Sequence, residues 1–315
     1  MRSRMLALLM CLGACGDASG GDNPSDGGAG DAGGGGDDSG GGPDAPPPVP
    51  QYAELWYAID DQLVYVPLDP SNGNVVEFKA STLTGITLPA GQSMLTMLPD
   101  GSLLAGRQDQ GANETTLFHI ASPPRDGSPA AATLLGVMPD NINLEGLYTD
   151  CDDRLYGMDT GVNVSSSVGN RLLRFTGNVL GGDFTFTVVS DLANAVVADI
   201  DDMGPGIENN EIHDNPGLAI DTSNVYEFNF ETGTGTMAGT GGTWGIHALG
   251  KELFTDGIAR LYVLGSDARL YRMDPATYAL SPSLGTGPTV PSGNNPGWSG
   301  LAGPLTECDS GFVIF

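Results

Sequence analysis

A short sequence pattern recurs along most of this chain, and the recurrence limits the folds that the chain can adopt. The pattern is a short run of alternating apolar and polar residues built around Leu-Tyr or Val-Tyr, and complete copies end in Asp-Pro or Asp-Thr. Its copies lie at 154–159, 260–264, 269–275 and, more loosely, 64–70. Alternating runs that end in turn residues are typical of β-strands.

Gly-Leu or Gly-Ile segments precede several copies at a regular interval. The repeating units begin near Met94, Leu147, Val197, Ile246 and Leu301, about fifty residues apart, which is the length of a four-stranded propeller blade. Further strand signals lie at 54–59, 62–66, 172–175 and 225–230, and helical periodicity is almost absent. The sequence therefore predicts an all-β fold, a single β-propeller of about five four-stranded blades over residues 51–315, with six blades as the alternative.

The repeats resemble those of bacterial β-propellers, whose blades carry a leucine-tyrosine pair, two further residues and aspartate-proline. The resemblance covers nearly all of residues 52–315, although β-sandwiches also use short strands with Asp-Pro turns. The unit at 196–242 fits worst, because Gly204-Pro205-Gly206 and Asn209-Asn210 interrupt it. Residues 298–315 are expected to form the inner part of a blade whose outer part is 55–78, closing the ring and removing exposed sheet edges.

The N-terminus has the pattern of an export signal. Arg2 and Arg4 precede an apolar stretch, and Leu12-Gly13-Ala14-Cys15 resembles the lipobox of bacterial lipoproteins. The resemblance implies cleavage after residue 14 and a lipid on Cys15, and the alternative is an ordinary secretory signal. Residues 15–50 are then the lipidated cysteine and a Gly/Asp/Pro-rich tether, which contains too few apolar residues to fold. We predict an exported protein, lipid-anchored in the bacterial cell envelope, at the outer membrane or cell surface rather than the inner membrane.

Charge limits the partners of the chain. It has 12 Lys and Arg against 39 Asp and Glu, a net charge of −27. Binding to nucleic acid depends on clustered cations that neutralise phosphates, so we expect no nucleic-acid partner. The membrane, through the lipid, and an unknown protein, glycan or small molecule remain as partners, and we expect a monomer.

Two cysteines remain after Cys15, and both lie outside the cytoplasm if the chain is exported. Cys151 and Cys308 can then form one disulfide, with two buried thiols as the alternative.

The propeller hypothesis places a ring of residues at the mouth of the central channel. These residues come just before the Gly-Leu segments, and the set is Ser93, Glu145, Asp199, Trp244 and Ser299. Glu145-Gly146 resembles the metal-binding Glu-Gly of gluconolactonase-like propellers, which implies Ca²⁺ held by Glu145 and Asp199, with Asp201 and Asp202 nearby. The alternative is that these acids are turn and cap residues.

No convincing set of catalytic residues is present, and we predict no catalytic residue. His213-Asp214 is expected in an exposed polar loop, and the start of a nucleophile elbow at Gly297-Trp298-Ser299 is not followed by a helix pattern. The favoured hypothesis is a non-enzymatic envelope lipoprotein that binds a protein, glycan or small ligand at the mouth. The alternative is a calcium-dependent hydrolase or lactonase of the gluconolactonase-like type.

Overall fold

The computed structural model describes residues 53–89, 91–109, 114–139, 142–160, 171–191, 200–209, 211–221, 224–240, 246–253, 259–265, 267–288 and 300–305. The predicted signal peptide, lipidation site and tether lie outside these ranges, as do Asp199, Trp244, Ser299 and Cys308. The described residues form strands, turns and one 3-10 turn, Val179–Gly181. Among them there is no helix of the length and apolarity needed to cross a membrane.

The described residues include twenty-one strands, which form five separate sheets. Blade 1 contains β1 (Ala53–Ile59), β2 (Gln62–Leu68) and β3 (Lys79–Thr84), and blade 2 contains β4 (Ser93–Met97), β5 (Leu103–Asp109), β6 (Glu114–Ile120) and β8 (Thr133–Val137). β7 (Ala130–Ala131), from the loop before β8, pairs in parallel with the outer strand of blade 1.

The remaining three blades follow in chain order. Blade 3 contains β9 (Leu144–Thr149), β10 (Leu155–Asp159), β11 (Arg171–Phe175) and β12 (Phe186–Asp191). Blade 4 contains β13 (Asp202–Glu208), β14 (Glu211–Asp221), β15 (Asn224–Asn229) and β16 (Thr234–Thr240). Blade 5 contains β17 (Ile246–Leu253), β18 (Ala259–Gly265), β19 (Arg269–Met273) and β20 (Gly285–Thr286), and β21 (Leu301–Ala302) returns to blade 1.

Each blade packs its two faces against its two neighbours, so five clusters lie between blades, and a small sixth cluster surrounds Ile212 and Ala259. Trp56 of blade 1 lies with Phe118 of blade 2, and Leu104 of blade 2 lies with Leu173 of blade 3. Equivalent clusters join blades 3 and 4, blades 4 and 5, and blades 5 and 1. Five sheets joined by five interfaces form a closed ring, which confirms the predicted propeller and its count of five blades.

The two ends of the chain close the ring, as the sequence predicts. β21 pairs with β1 in antiparallel register, Trp56 opposite Ala302 and Tyr57 opposite Leu301. Gly300 is required just before β21, because a Cβ atom on it would lie 2.0 Å from the backbone nitrogen of Leu95 in β4. A short C-terminal strand therefore completes blade 1 from the channel side.

Blade 4 corrects one sequence expectation. Its inner strand begins at Asp202 rather than near Val197, and Gly204-Pro205-Gly206 lies within β13 instead of interrupting the blade. The β13–β14 register shifts between Gly204 and Gly206. This β-bulge accommodates Pro205, which has no backbone N–H to donate to the neighbouring strand. Asn209 has φ 54° and lies in the hairpin turn, so the apparent breakers are a bulge and a turn.

The inner strands β21, β4, β9, β13 and β17 give the ring a direction. We call the end where they begin the entrance end and the opposite end the exit end. Because β10 is antiparallel to β9, with Asp159 opposite Leu144, the second strand of each blade runs from exit to entrance. The predicted mouth is therefore at the entrance end.

Candidate functional site

Ser93 lies at the entrance end, as predicted, but its side chain is 3% exposed and serves the packing of blades 1 and 2. Its Oγ accepts a hydrogen bond of 3.0 Å from Nε of Arg107 in β5. The same guanidinium donates to the carbonyls of Pro89, at 3.0 Å, and of Asp60 in the β1–β2 turn. Burial lowers the pKa of Arg107. Arg107 therefore links Ser93 of blade 2 to the β1–β2 turn of blade 1.

Glu145 also lies at the entrance end and contacts the neighbouring blade. The β9–β10 register shifts at this point, so that Leu144 rather than Glu145 is opposite Asp159. The half-buried carboxylate accepts a hydrogen bond of 3.4 Å from Nε2 of Gln108 in blade 2. On the other side, a Cβ atom on Gly146 would lie 3.3 Å from Oδ1 of Asp202. Glu145 and Asp202 thus come from adjacent blades to the same end of the ring.

Asp159 is the last residue of β10, as the Asp-Thr pattern predicts, and its side chain makes contacts that the pattern does not predict. It is 3% exposed and accepts hydrogen bonds from the Asn143 backbone nitrogen, at 3.1 Å, and from Nε of Arg171, at 2.9 Å. The side chains of Asn143 and Thr160 lie beside it, buried and without a hydrogen-bond partner among the described residues. The two hydrogen bonds that Asp159 accepts therefore hold β9, β10 and β11 together at the entrance end.

The predicted ring can be followed only in part. Ser93 and Glu145 are at the expected end, whereas Asp199, Trp244 and Ser299 lie outside the described ranges. Over those ranges no group of three His, Cys, Asp or Glu side chains is arranged to hold a metal ion. Calcium binding by Glu145 and Asp199, and ligand binding by the ring, stay predictions.

The described side chains of four inner strands, β4, β9, β13 and β21, approach one another at the centre of the ring. Apolar side chains of the inner strands, including Leu95, Leu147 and Met203, leave a cavity of about 30 Å³ there. Oγ1 of Thr96 donates to Oγ1 of Thr149 across blades 2 and 3 at 3.1 Å and accepts from the Thr149 backbone nitrogen at 3.0 Å. These two hydrogen bonds join blades 2 and 3 near the ring axis.

A cavity opens at the exit end between blades 2 and 3. Its volume is about 680 Å³, within the range of small-molecule sites. We call it the slot and define it by its apolar walls, which are Leu98, Leu104, Leu155, Phe175, Val179 and Leu180. Leu98 and Leu104 come from blade 2, whereas the other four come from blade 3. The slot therefore exists only because two blades meet.

A capped loop of blade 3 forms the outer wall of the slot. The 3-10 turn positions Val179 inward, 7% exposed, and Leu180 at the rim, 42% exposed. Asn178 caps the turn by accepting a hydrogen bond of 3.2 Å from Gly181, and Gly182 ends it at φ 82°. The loop crosses to blade 2, since a Cβ atom on Gly136 of β8 would lie 3.0 Å from the ring of Phe184.

An ion-pair network stands beside the slot. Nε of Arg154 is 2.6 Å from Oδ2 of Asp150, whose side chain is fully buried, and the guanidinium also reaches Asp152 at 3.0 Å and Glu231 at 3.8 Å. Asp150 additionally accepts hydrogen bonds from the backbone nitrogens of Asp152, at 3.0 Å, and Arg154, at 2.8 Å. The turn between β9 and β10 is therefore held rigidly.

A second cavity of about 260 Å³ lies toward the ring axis and shares Leu98, Pro99 and Asp153 with the slot. Cys151 lines it together with Pro304 and Leu305 from the C-terminal segment. Cys151 is disulfide-bonded, and the predicted partner, Cys308, lies outside the described residues, so the pairing stays a prediction.

Asp214 differs from its predicted place in an exposed loop. It lies in β14, where its carboxylate accepts a hydrogen bond from the Tyr148 hydroxyl and another, of 2.8 Å, from the Cys151 backbone nitrogen. Burial and the neighbouring Asp214 raise the pKa of Tyr148 well above its usual value. His213 is half-buried and its ring Nε2 lies 3.3 Å from the Glu208 carbonyl. Asp214 therefore anchors blade 4 to the turn beside the second cavity.

Comparisons with known proteins give distant likenesses of fold. No family model matches, and no curated protein matches. A solved nidogen/laminin complex chain is 11% identical, with 81% of this chain and all of that chain covered at a TM-score of 0.47. A protein of unknown function from Bacteroides caccae is 11% identical (74% and 72% covered, TM-score 0.35), and a catalytically inactive virginiamycin B lyase from Staphylococcus aureus with quinupristin is 12% identical (73% and 69%, TM-score 0.35). The assignment of the fold rests on the strand topology itself.

Proposed function

We propose that this chain is an exported, lipid-anchored binding protein whose propeller holds a small organic ligand in the slot, without catalysis. The observation that carries the proposal is the slot itself, an open cavity of about 680 Å³ walled mainly by apolar side chains. Cavities of this size and lining are the usual places where proteins bind small molecules. The lipobox-like Leu12-Gly13-Ala14-Cys15 and the acidic tether support the proposed location.

The rigidity of the walls supports binding at this place. The capped loop on one side and the Arg154–Asp150 pair on the other hold the walls by hydrogen bonds, so little order has to be gained when a ligand enters.

The test uses N-phenyl-1-naphthylamine, an uncharged dye whose fluorescence rises in apolar surroundings. We expect saturable binding, weakened about fivefold by Leu180→Gln, because loss of about 1 kcal/mol of apolar contact corresponds to that factor. The matched control is Leu134→Gln, since Leu134 is 57% exposed on β8 and does not line the slot. Equal affinity in both variants, or no saturable binding, would refute the proposal.

A further inference from the structure

The charges around the slot are mostly negative. Asp100 and Asp153 line its rim and are exposed. Asp150, Asp152 and Glu231 surround Arg154, so that one guanidinium faces three carboxylates. The polar surroundings of the apolar walls therefore carry an excess of anions.

Two arginines, Arg154 and Arg174, also line the slot and would each favour an anion. The charge of Arg154 is offset by its three carboxylate partners, and Arg174 is directed toward blade 4. Strand alternation places Arg174 with Leu172, on the side of blade 3 that packs against blade 4, whereas Leu173 and Phe175 belong to the side that packs against blade 2. Arg174 lies opposite Tyr156 in the ladder and lowers the pKa of that hydroxyl, against the larger effect of burial. The charge of Arg174 therefore acts mainly on groups between blades 3 and 4, such as the Tyr156 hydroxyl.

From the apolar walls and the acidic rim we infer that the slot selects an organic cation with an apolar body, such as an aromatic or aliphatic amine or quaternary ammonium compound. This inference rests on the proposed function, because it names the ligand class of the same cavity. The apolar body lies against Leu155 and Phe175, and the cationic group lies at the rim near Asp153 and Asp100. The net charge of −27 adds a field that draws cations and repels anions over the whole surface.

The experiment compares three compounds that share a naphthalene ring: a naphthylmethyl-trimethylammonium salt, naphthylmethanol and naphthoate. We expect isothermal titration calorimetry at low salt to show that the cation binds about fivefold or more tighter than the alcohol and that the carboxylate binds weakest. This factor is the attraction between the cation and two or three carboxylates at a distance on the order of 8 Å near a solvated surface. Added salt should shrink the preference.

Asp153→Asn is the decisive variant. Asp153 is exposed and has φ 63°, a conformation that asparagine tolerates, so the fold should survive. We expect this change to reduce the preference for the cation over the alcohol by about half at low salt while leaving the affinity for the alcohol unchanged. The matched control, Asp126→Asn, removes one exposed carboxylate away from the slot and should leave the preference in place.

The outcomes separate the two claims. If the compounds bind and Leu180→Gln weakens them, but the carboxylate equals or exceeds the cation, the inferred ligand class is wrong and the slot still binds. An equal loss of preference in Asp126→Asn would likewise overturn it, since the selectivity would then come from overall charge. If none of the three binds, or Leu180→Gln changes nothing, the proposed function itself fails.

Discussion

A substitution in the closing strand β21 gives the sharpest test of the ring. Leu301 is 3% exposed and lies in the core between blades 1 and 5 with Leu55, Tyr57 and Tyr262. Replacing a leucine so placed with alanine costs about 3 kcal/mol, because apolar contact is lost and a cavity remains. In a domain of this size that loss lowers the melting temperature by about 6–12 °C. We therefore expect Leu301→Ala to shift the transition by this amount.

The assay is chemical denaturation of the full chain, supported by scanning calorimetry. The control is Leu134→Ala, the same substitution at a position that is 57% exposed on an outer strand, where we expect a change within about 0.5 kcal/mol. If the two variants have the same free energy of unfolding, β21 does not close the ring, and the reasoning that ties stability to closure is refuted.

Three further predictions concern other parts of the molecule. Arg107→Met should lower the free energy of unfolding by about 2–3 kcal/mol, because the carbonyls of Asp60 and Pro89 lose their donor; denaturation with urea would show it, and a change near zero would mean that the contact contributes nothing. Stability should fall as the pH rises from about 10 to about 12. Burial, and to a smaller extent Glu54 for Tyr65 and Asp150 for Tyr156, raises the pKa of each of these two hydroxyls to about 12 in the folded chain. The neutral hydroxyls therefore stabilise the fold below pH 10, and this contribution is lost as the pH passes the folded pKa; a melting temperature that stays constant from about pH 10 to about pH 12 would contradict the prediction. Cys15→Ala should abolish incorporation of radiolabelled palmitate in cells, and label retained by that variant would rule out lipidation at Cys15.

The fold could be predicted from sequence because a propeller repeats its information locally. Strands β1, β2, β11 and β15 each have their own alternation of residue types and their own turn residues. The spacing of the inner strands along the sequence gives the number of blades. Asp69 and Asp274 also behave as turn residues, accepting hydrogen bonds from the backbone nitrogens of Ser71 and Ala276. The exception was blade 4, where Gly204-Pro205-Gly206 looks like a break in sequence because a bulge and a break use the same residues.

The slot could not be predicted, for a physical reason. Its walls come from two blades and a loop, and residues such as Leu104 and Phe175 have the same alternation as core residues facing a neighbouring sheet. The space between blades 2 and 3 at the exit end depends on how the two sheets and the loop pack together, and no local pattern encodes that packing. The sequence signal nearest to the slot is the Val-Leu-Gly segment after the polar Asn178. That segment predicts a turn, and it does not indicate that the turn forms one wall of a cavity. At the predicted mouth, Ser93 was placed at the correct end, yet its contact with Arg107 depends on a residue fourteen positions away.

The proposed binding site is tested most directly by methyl NMR of the chain with labelled leucines, titrated with naphthylmethyl-trimethylammonium. The account predicts shifts confined to Leu98, Leu104, Leu155 and Leu180, with those of Leu63 and Leu301 unchanged. Shifts centred on the entrance end, or none in the slot leucines at saturating compound, would contradict it.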